Sequence, residues 1–189
     1  MVIERVRQMS VEAFLDFAEA SEYRYEYIDG EPVKMTGGKF NHFRIIHRLQ
    51  VLLDSLLGAT GCEVLASGML VRAGDETLLA PDVSVVCGEP ETEMDTRVLL
   101  NPTLVVEVIS PSSIDHDRVV KRDLYRSVAS IQAYLIVAQD QMSAELYTRG
   151  DTGWDLRTFS QHDDEIPLDA LYCSLPLRDI YQGIEFGEA

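Results

Sequence analysis

The sequence predicts a mixed α/β fold, a sheet layered with helices, and three features predict it: one long amphipathic helix, a tyrosine-rich hairpin, and a run of short apolar strands. Ser10 is placed to cap a first helix, Val11 to Ala20, in which Phe14, Phe17 and Ala18 recur at helical spacing. From Tyr23 to Met35 the residues alternate as in a strand, and Asp29-Gly30, a pair favoured in tight turns, folds them into a hairpin. The long helix runs from Asn41 to Leu57, with Phe43, Ile46, Leu49, Leu52 or Leu53, and Leu56 as its apolar stripe and Gly58 as its stop. Strands are expected at Cys62 to Ala66, Met69 to Arg72, Leu78 to Val86 and Leu104 to Ile109, with the acidic stretch Glu89 to Asp95 as a solvated loop. Ser110-Pro111-Ser112-Ser113 ends the last of these and leads into a helix from about Asp115 to Val128, buried through Val120, Leu124 and Val128. Strands at Ile131 to Val137, Ala144 to Thr148 and Trp154 to Phe159, then a short helix near Leu177 to Tyr181, complete the pattern. No repeat or linker interrupts it, so residues 1–189 read as one domain.

Composition narrows the function. The chain has 46% apolar and 25% charged residues, enough to bury a core, and a net charge of −16. That charge excludes a protein that binds nucleic acid through a broad basic surface, because such binding comes from Lys and Arg neutralising phosphates. It leaves a protein that meets phosphate through a metal ion, one with a small local basic face, or one with a partner that is not anionic. No apolar run is long enough to span a bilayer and the first ten residues lack a signal-peptide core, so a cytoplasmic address is expected. Cys62, Cys87 and Cys173 form no CxxC pair and are expected to be core fillers.

Glu107 is the most informative residue. It interrupts Leu104-Val105-Val106-Glu107-Val108-Ile109, otherwise a central strand, and a buried carboxylate there needs a cation, hydrogen bonds, a metal or an open sheet end. An ion pair with one of the thirteen arginines is one reading. A second acid, Asp82, follows Pro81 at the start of another apolar run, near a sheet end, where it could equally serve a turn. Two carboxylates entering neighbouring strands raise each other's pKa unless a cation intervenes, and Mg²⁺ or Mn²⁺, which prefer oxygen ligands, would serve. Lys121, one of only three lysines, lies on the helix after the Glu107 strand, either pairing with Asp117 or acting beside a phosphate. Arg118, Arg122 and Arg126 make a basic stripe on that helix that could grip phosphates or bridge to the excess acids. His42 and His47, five apart, are not a zinc-binding pair.

Arg24-Tyr25-Glu26-Tyr27-Ile28-Asp29-Gly30-Glu31, then His42, Pro81-Asp82-Val83, Val105-Val106-Glu107-Val108-Ile109-Ser110-Pro111-Ser112, and Lys121 followed by Tyr125, resemble the Uma-two family of bacterial restriction-type endonucleases, in the PD-(D/E)XK superfamily. The resemblance covers about Ser10 to Tyr181. It implies a restriction endonuclease-like mixed β-sheet core flanked by helices. It maps the family's first aspartate to Asp82, its second acid to Glu107 and an upstream acid to Glu26, with His42 and Tyr125 in supporting places. The lysine usually found two residues after the second acid is replaced by Ile109, and the resemblance shifts that role to Lys121.

The expectation is therefore a metal-dependent endonuclease acting on nucleic acid, DNA in the first instance. Asp82, Glu107 and the Val108 carbonyl would hold Mg²⁺ or Mn²⁺, and Lys121 would orient or deprotonate the attacking water. Glu26 would assist, and Arg118 and Arg122 would contact the backbone. A homodimer is expected for cutting two strands, through the C-terminal strands or the face carrying Tyr23, Tyr25 and Tyr27, which could equally be core. The rivals are an inert member of the fold acting as a binding or assembly module, which the isoleucine at 109 and the acidic charge favour, and a small-molecule phosphoesterase.

Overall fold

The computed structural model describes residues 9–35, 37–66, 68–110 and 120–186. Helix α1 (Val11–Glu19) begins where expected, with the Ser10 hydroxyl accepting from the Ala13 amide at 3.2 Å. Strands β1 (Tyr25–Ile28) and β2 (Glu31–Lys34) pair antiparallel around Asp29-Gly30, both with positive φ (52° and 85°), the backbone that a two-residue hairpin turn requires. Helix α2 (Phe40–Leu57) follows, then β3 (Cys62–Ala66) and β4 (Leu70–Gly74).

The stretch expected to be one strand is two. β5 (Thr77–Leu79) and β6 (Val83–Cys87) belong to different sheets, and Ala80-Pro81-Asp82 carries the chain from one to the other. Proline removes a ladder donor at the break, while burial on both sides keeps the whole segment apolar. The acidic stretch is not entirely loop either: β7 (Thr92–Glu93) pairs with β8 (Val98–Leu99). β9 (Leu104–Ile109) is as expected. After residues 111–119, which lie outside the described residues, come α3 (Arg122–Ser127), β10 (Ala133–Ala138), β11 (Ala144–Gly150) and β12 (Gly153–Phe159). Strands β13 (Glu165–Leu168) and β14 (Cys173–Pro176), an unexpected hairpin, lead to the short α4 (Leu177–Ile180).

Two mixed six-stranded sheets result, rather than one. The first runs β2-β1-β5-β4-β8-β7 and the second β12-β11-β10-β9-β6-β3, with β9 and β10 parallel at its centre. The sheets face each other through Val71, Ala73 and Leu79 on one side and Val86, Val105, Ile109, Tyr134 and Ile136 on the other. Helix α1 covers the outside of the first sheet, Phe14 and Leu15 packing on Tyr27, Leu78 and Val98. Helix α2 covers the outside of the second through Ile45, Ile46, Leu49, Leu53 and Leu57. Its buried stripe is rotated from the expected one, since Phe43 and Leu56 are exposed, because paired leucines at 52/53 and 56/57 allow either facing. On α3 the buried residue is Tyr125, whereas Val120 is exposed.

The hairpin tyrosines turn inward. Tyr27 stacks on Phe14 with ring centroids 4.9 Å apart and Tyr25 meets Phe17 edge-on at the same separation, leaving Tyr23 exposed. Cys62 and Cys87 are not simple core fillers. They are opposite each other in the β3/β6 register and form a disulfide, while Cys173 is free, its thiol pushed up by burial. A spacing of 25 residues carries no sign of that register, which exists only once the two strands pair. No helix among the described residues is long and apolar enough to cross a membrane.

Candidate functional site

Strand alternation decides where the acids point. On β9, Leu104, Val106 and Val108 face α2, so Glu107 shares the opposite face with Val105 and Ile109 and enters the space between the sheets. On β1, Tyr25 and Tyr27 face α1, which turns Glu26 inward from the other sheet. Asp82 comes from the crossing segment that joins the sheets. Its amide donates to the Val106 carbonyl at 3.0 Å and its Oδ2 accepts from the Val108 amide at 2.8 Å, so the carboxylate is pinned beside the C-terminal half of β9.

Lys121 binds the two sheets together. Its Nζ lies 2.9 Å from Glu26 Oε1 and 3.0 Å from Glu107 Oε1. Glu26 Oε1 also accepts from the Ala80 amide at 3.0 Å, and Glu107 Oε1 from the Tyr125 hydroxyl at 2.8 Å. Side-chain exposure here is 4% for Lys121, 3% for Glu26 and 5% for Glu107, so these are desolvated charges stabilised by mutual attraction and directed hydrogen bonds. Tyr125 sits on Tyr134 with ring centroids 5.0 Å apart, and burial together with the charges of Glu107 and Glu26 raises its hydroxyl well above the ordinary tyrosine value. It stays a proton donor to Glu107.

His42, in the first turn of α2, closes the other end. Its Nδ1 is 3.0 Å from the Val108 carbonyl and its Nε2 3.5 Å from Asp82 Oδ1. A Cβ on Gly38 would stand 2.1 Å from His42 Cδ2, so only glycine lets the backbone pass the imidazole at this distance. Burial raises the Asp82 carboxyl above its ordinary value, against the opposing pull of His42, the Val108 amide, Lys121 and Arg24.

These groups line one cavity of about 410 Å³, together with Tyr23, Arg24, Lys34, Phe43, Ser110 and Gln139. It opens at the C-terminal ends of the parallel pair β9/β10, the place where α/β sheets commonly receive ligands. Glu26, His42, Asp82, Glu107, Val108 and Lys121 all reach it, and Tyr125 supports it from beneath. Arg122 does not: its Nε donates to Asp123 Oδ1 at 2.9 Å, away from the cavity. Arg126 likewise lies near Asp123 and the Trp154 ring, so the described part of the arginine stripe is engaged locally. Arg118 lies outside the described residues. Gln139 went unremarked in the sequence, although it ends the apolar run Ala133–Ala138 with a polar side chain, the kind of interruption that marks Glu107. It is 5% exposed, and its Oε1 has no hydrogen-bond partner among the described residues.

The donor set is hard oxygen, which suits Mg²⁺ or Mn²⁺, and such ions commonly take only one or two protein carboxylates and complete their shell with water and phosphate. Asp82 Oδ1, Glu107 and the Val108 carbonyl fit that pattern. Among the described residues no group of three His, Cys, Asp or Glu side chains forms a ready-made metal cage.

The family model described as "Putative restriction endonuclease", Uma2, matches residues 11–178, which include every one of these groups. The chain belongs to the Uma2 family. Among curated proteins, the "Uncharacterized protein slr1290" of Synechocystis sp. is 33% identical over 180 residues, covering 95% of this chain and 94% of that one. A second protein of the same organism, "Uncharacterized protein sll1609", is 31% identical over 169 residues, covering 88% and 96%. A solved structure, described as a putative nuclease belonging to DUF820 from Anabaena variabilis, superposes with a TM-score of 0.76 at 16% identity, over 94% of this chain and 99% of that one. The Uma2 chain therefore shares that protein's fold.

Proposed function

We propose that this Uma2 protein is a metal-dependent phosphodiesterase acting on nucleic acid, with the sheet β12 to β3 as a restriction endonuclease-like core. One observation carries the reading: acids from β1, the sheet crossing and β9, with a lysine from just before α3, converge in a single cavity although the fold could have kept each apart. Bound between Asp82 and Glu107, Mg²⁺ or Mn²⁺ would polarise the phosphate and offset the repulsion between an acidic protein and a polyanion. Asp82 is held in place for this by the Val108 amide, and the Val108 carbonyl, 3.0 Å from His42 Nδ1, would be a third oxygen ligand. Lys121, an ammonium held between Glu26 and Glu107, would orient the attacking water by donating a hydrogen bond to it, while Tyr125 keeps Glu107 oriented.

Incubation of DNA and RNA with Mg²⁺, Mn²⁺ or EDTA tests this. Cleavage is expected only with metal and is expected to be lost in Asp82→Asn and Glu107→Gln. A Tm that does not respond to metal, with no cleavage of any nucleic acid, overturns the reading. An inert assembly module is the second reading, and a specific observation favours it: the acids already have protein partners in Lys121, Tyr125 and the Ala80 and Val108 amides. Duplex cleavage asks for two copies, so a homodimer belongs to the first reading in its restriction-type form.

A further inference from the structure

The rim of the cavity is unlike the rest of the molecule. In a chain of net charge −16 with only three lysines, Lys34 and Lys121 line the cavity and Lys39 stands at the N-cap of α2, next to the lining residue Gly38. Arg24 lines it too. Two large aromatic residues accompany these cations. Phe43 is 58% exposed, its ring perpendicular to that of His42, and Tyr23 is 55% exposed, with Lys34 Nζ 3.1 Å from its ring centroid. Exposed aromatic rings interleaved with cations at a cavity mouth are the pairing that holds bases by stacking and phosphates by charge.

The depth of the acids limits what can reach them. Glu26, Asp82 and Glu107 are only 2–4% exposed, at the end of a cavity of about 410 Å³. A duplex is stiff on this scale and keeps its phosphates on the outside of a rod, so none can descend without distorting it. A single strand has no such restraint: it can bend, place one base on a ring and lower the adjoining phosphate.

We propose that the cavity takes a single-stranded polynucleotide, with a base stacked on Phe43, a neighbouring phosphate held by Lys34 and Arg24, and the next phosphate lowered toward Asp82 and Glu107. This rests on the phosphodiesterase reading for its outcome but not for its binding geometry. A single strand needs no second copy of the protein.

Fluorescence anisotropy in millimolar Ca²⁺, with a labelled oligothymidylate, an oligouridylate and a DNA hairpin duplex, tests it. At least one single strand is expected to bind about tenfold or more tightly than the hairpin, and the two single strands distinguish DNA from RNA. Phe43→Ala is expected to weaken that binding by about 5- to 100-fold, the loss of one base stack, with Tm unchanged, and Phe43→Trp to retain it. Equal binding of hairpin and single strands, or an unchanged affinity in Phe43→Ala, overturns the proposal. The two readings fail separately. Single strands that bind through Phe43 but are never cut with Mg²⁺ or Mn²⁺ remove the phosphodiesterase and leave this proposal standing; duplex cut as readily as single strand does the reverse.

Discussion

The two faces of β9 differ as much as any two regions of the molecule. Toward α2, Leu104, Val106 and Val108 meet Ile45, Leu49 and Leu53 in continuous hydrocarbon. Toward the first sheet, Val105 and Ile109 flank Glu107, and the packing gives way to an ion-paired cluster with Lys121 and Glu26. The first face stabilises by removing apolar area from water, roughly 25 cal/mol per Å², and needs nothing else. The second replaces that gain with charges whose attraction offsets their desolvation at best. Packing alone would favour continuing the valines through position 107, and the proposed function accounts for the polar face that stands there instead.

Breaking the polar face should give the largest effect. Lys121→Met leaves Glu26 and Glu107 buried without their cation and should cost about 3–5 kcal/mol in urea denaturation. Adding Glu26→Gln and Glu107→Gln to it should recover most of that loss. A cost below about 1 kcal/mol for the single variant would show that the carboxylates do not depend on the lysine. On the apolar face, Leu49→Ala should cost about 2–5 kcal/mol by the same measurement, with no dependence on added metal. Gly38→Ala is smaller. Its Cβ displaces the His42 ring, and loss of the bond to the Val108 carbonyl should cost about 1 kcal/mol, visible as a changed His42 ring resonance in NMR.

The smallest effect separates the faces by pH. Asp82 is buried with its carboxyl pKa raised, so the fold holds this proton more tightly than the unfolded chain does. Its contribution is most favourable below the unfolded value of 3.8 and declines as pH rises from there through the folded value, leaving a penalty at neutral pH. Asp82→Asn keeps an acceptor for the Val108 amide and should therefore melt slightly higher than the parent at neutral pH without metal, the gap closing under acid. Mn²⁺ should raise the Tm of the parent and not of the variant. A lower Tm for Asp82→Asn at neutral pH would mean that its bonds to His42 and Val108 outweigh its desolvation.

Local chemistry was readable in the sequence where a single residue type determined the geometry. Asp29-Gly30 specified its turn, Ser10 its cap, and Glu107 declared itself by interrupting a strand that is apolar on both sides. Asp82 and Glu107 stand out for the same reason, each being an acid at or within an apolar run, whereas Glu26 fits the alternation of its hairpin strand and is singled out only by the family resemblance. What depends on partners distant in the chain was not legible. Thr77 to Val86 is buried throughout, so no alternation betrays the change of sheet at Pro81, and the Cys62–Cys87 pairing exists only in the register of β3 with β6. The arginines around α3 looked like a phosphate grip because spacing shows a stripe and not its neighbours; Asp123 takes Arg122, whereas the cations on the cavity among the described residues are Arg24, Lys34 and Lys121.

The passage of Ala80-Pro81-Asp82 from one sheet to the other has a consequence for how the chain folds. Glu26 and Lys121 are 121 − 26 = 95 positions apart, and they meet only when both sheets are built and closed on each other. Contacts of that sequence separation form late, after the loops between them have been closed. A nascent or partly unfolded chain with either sheet alone would carry Asp82 or Glu107 but no cavity, and so would hold neither ion nor phosphate. The binding proposed for the cavity would thereby be tied to completion of the fold.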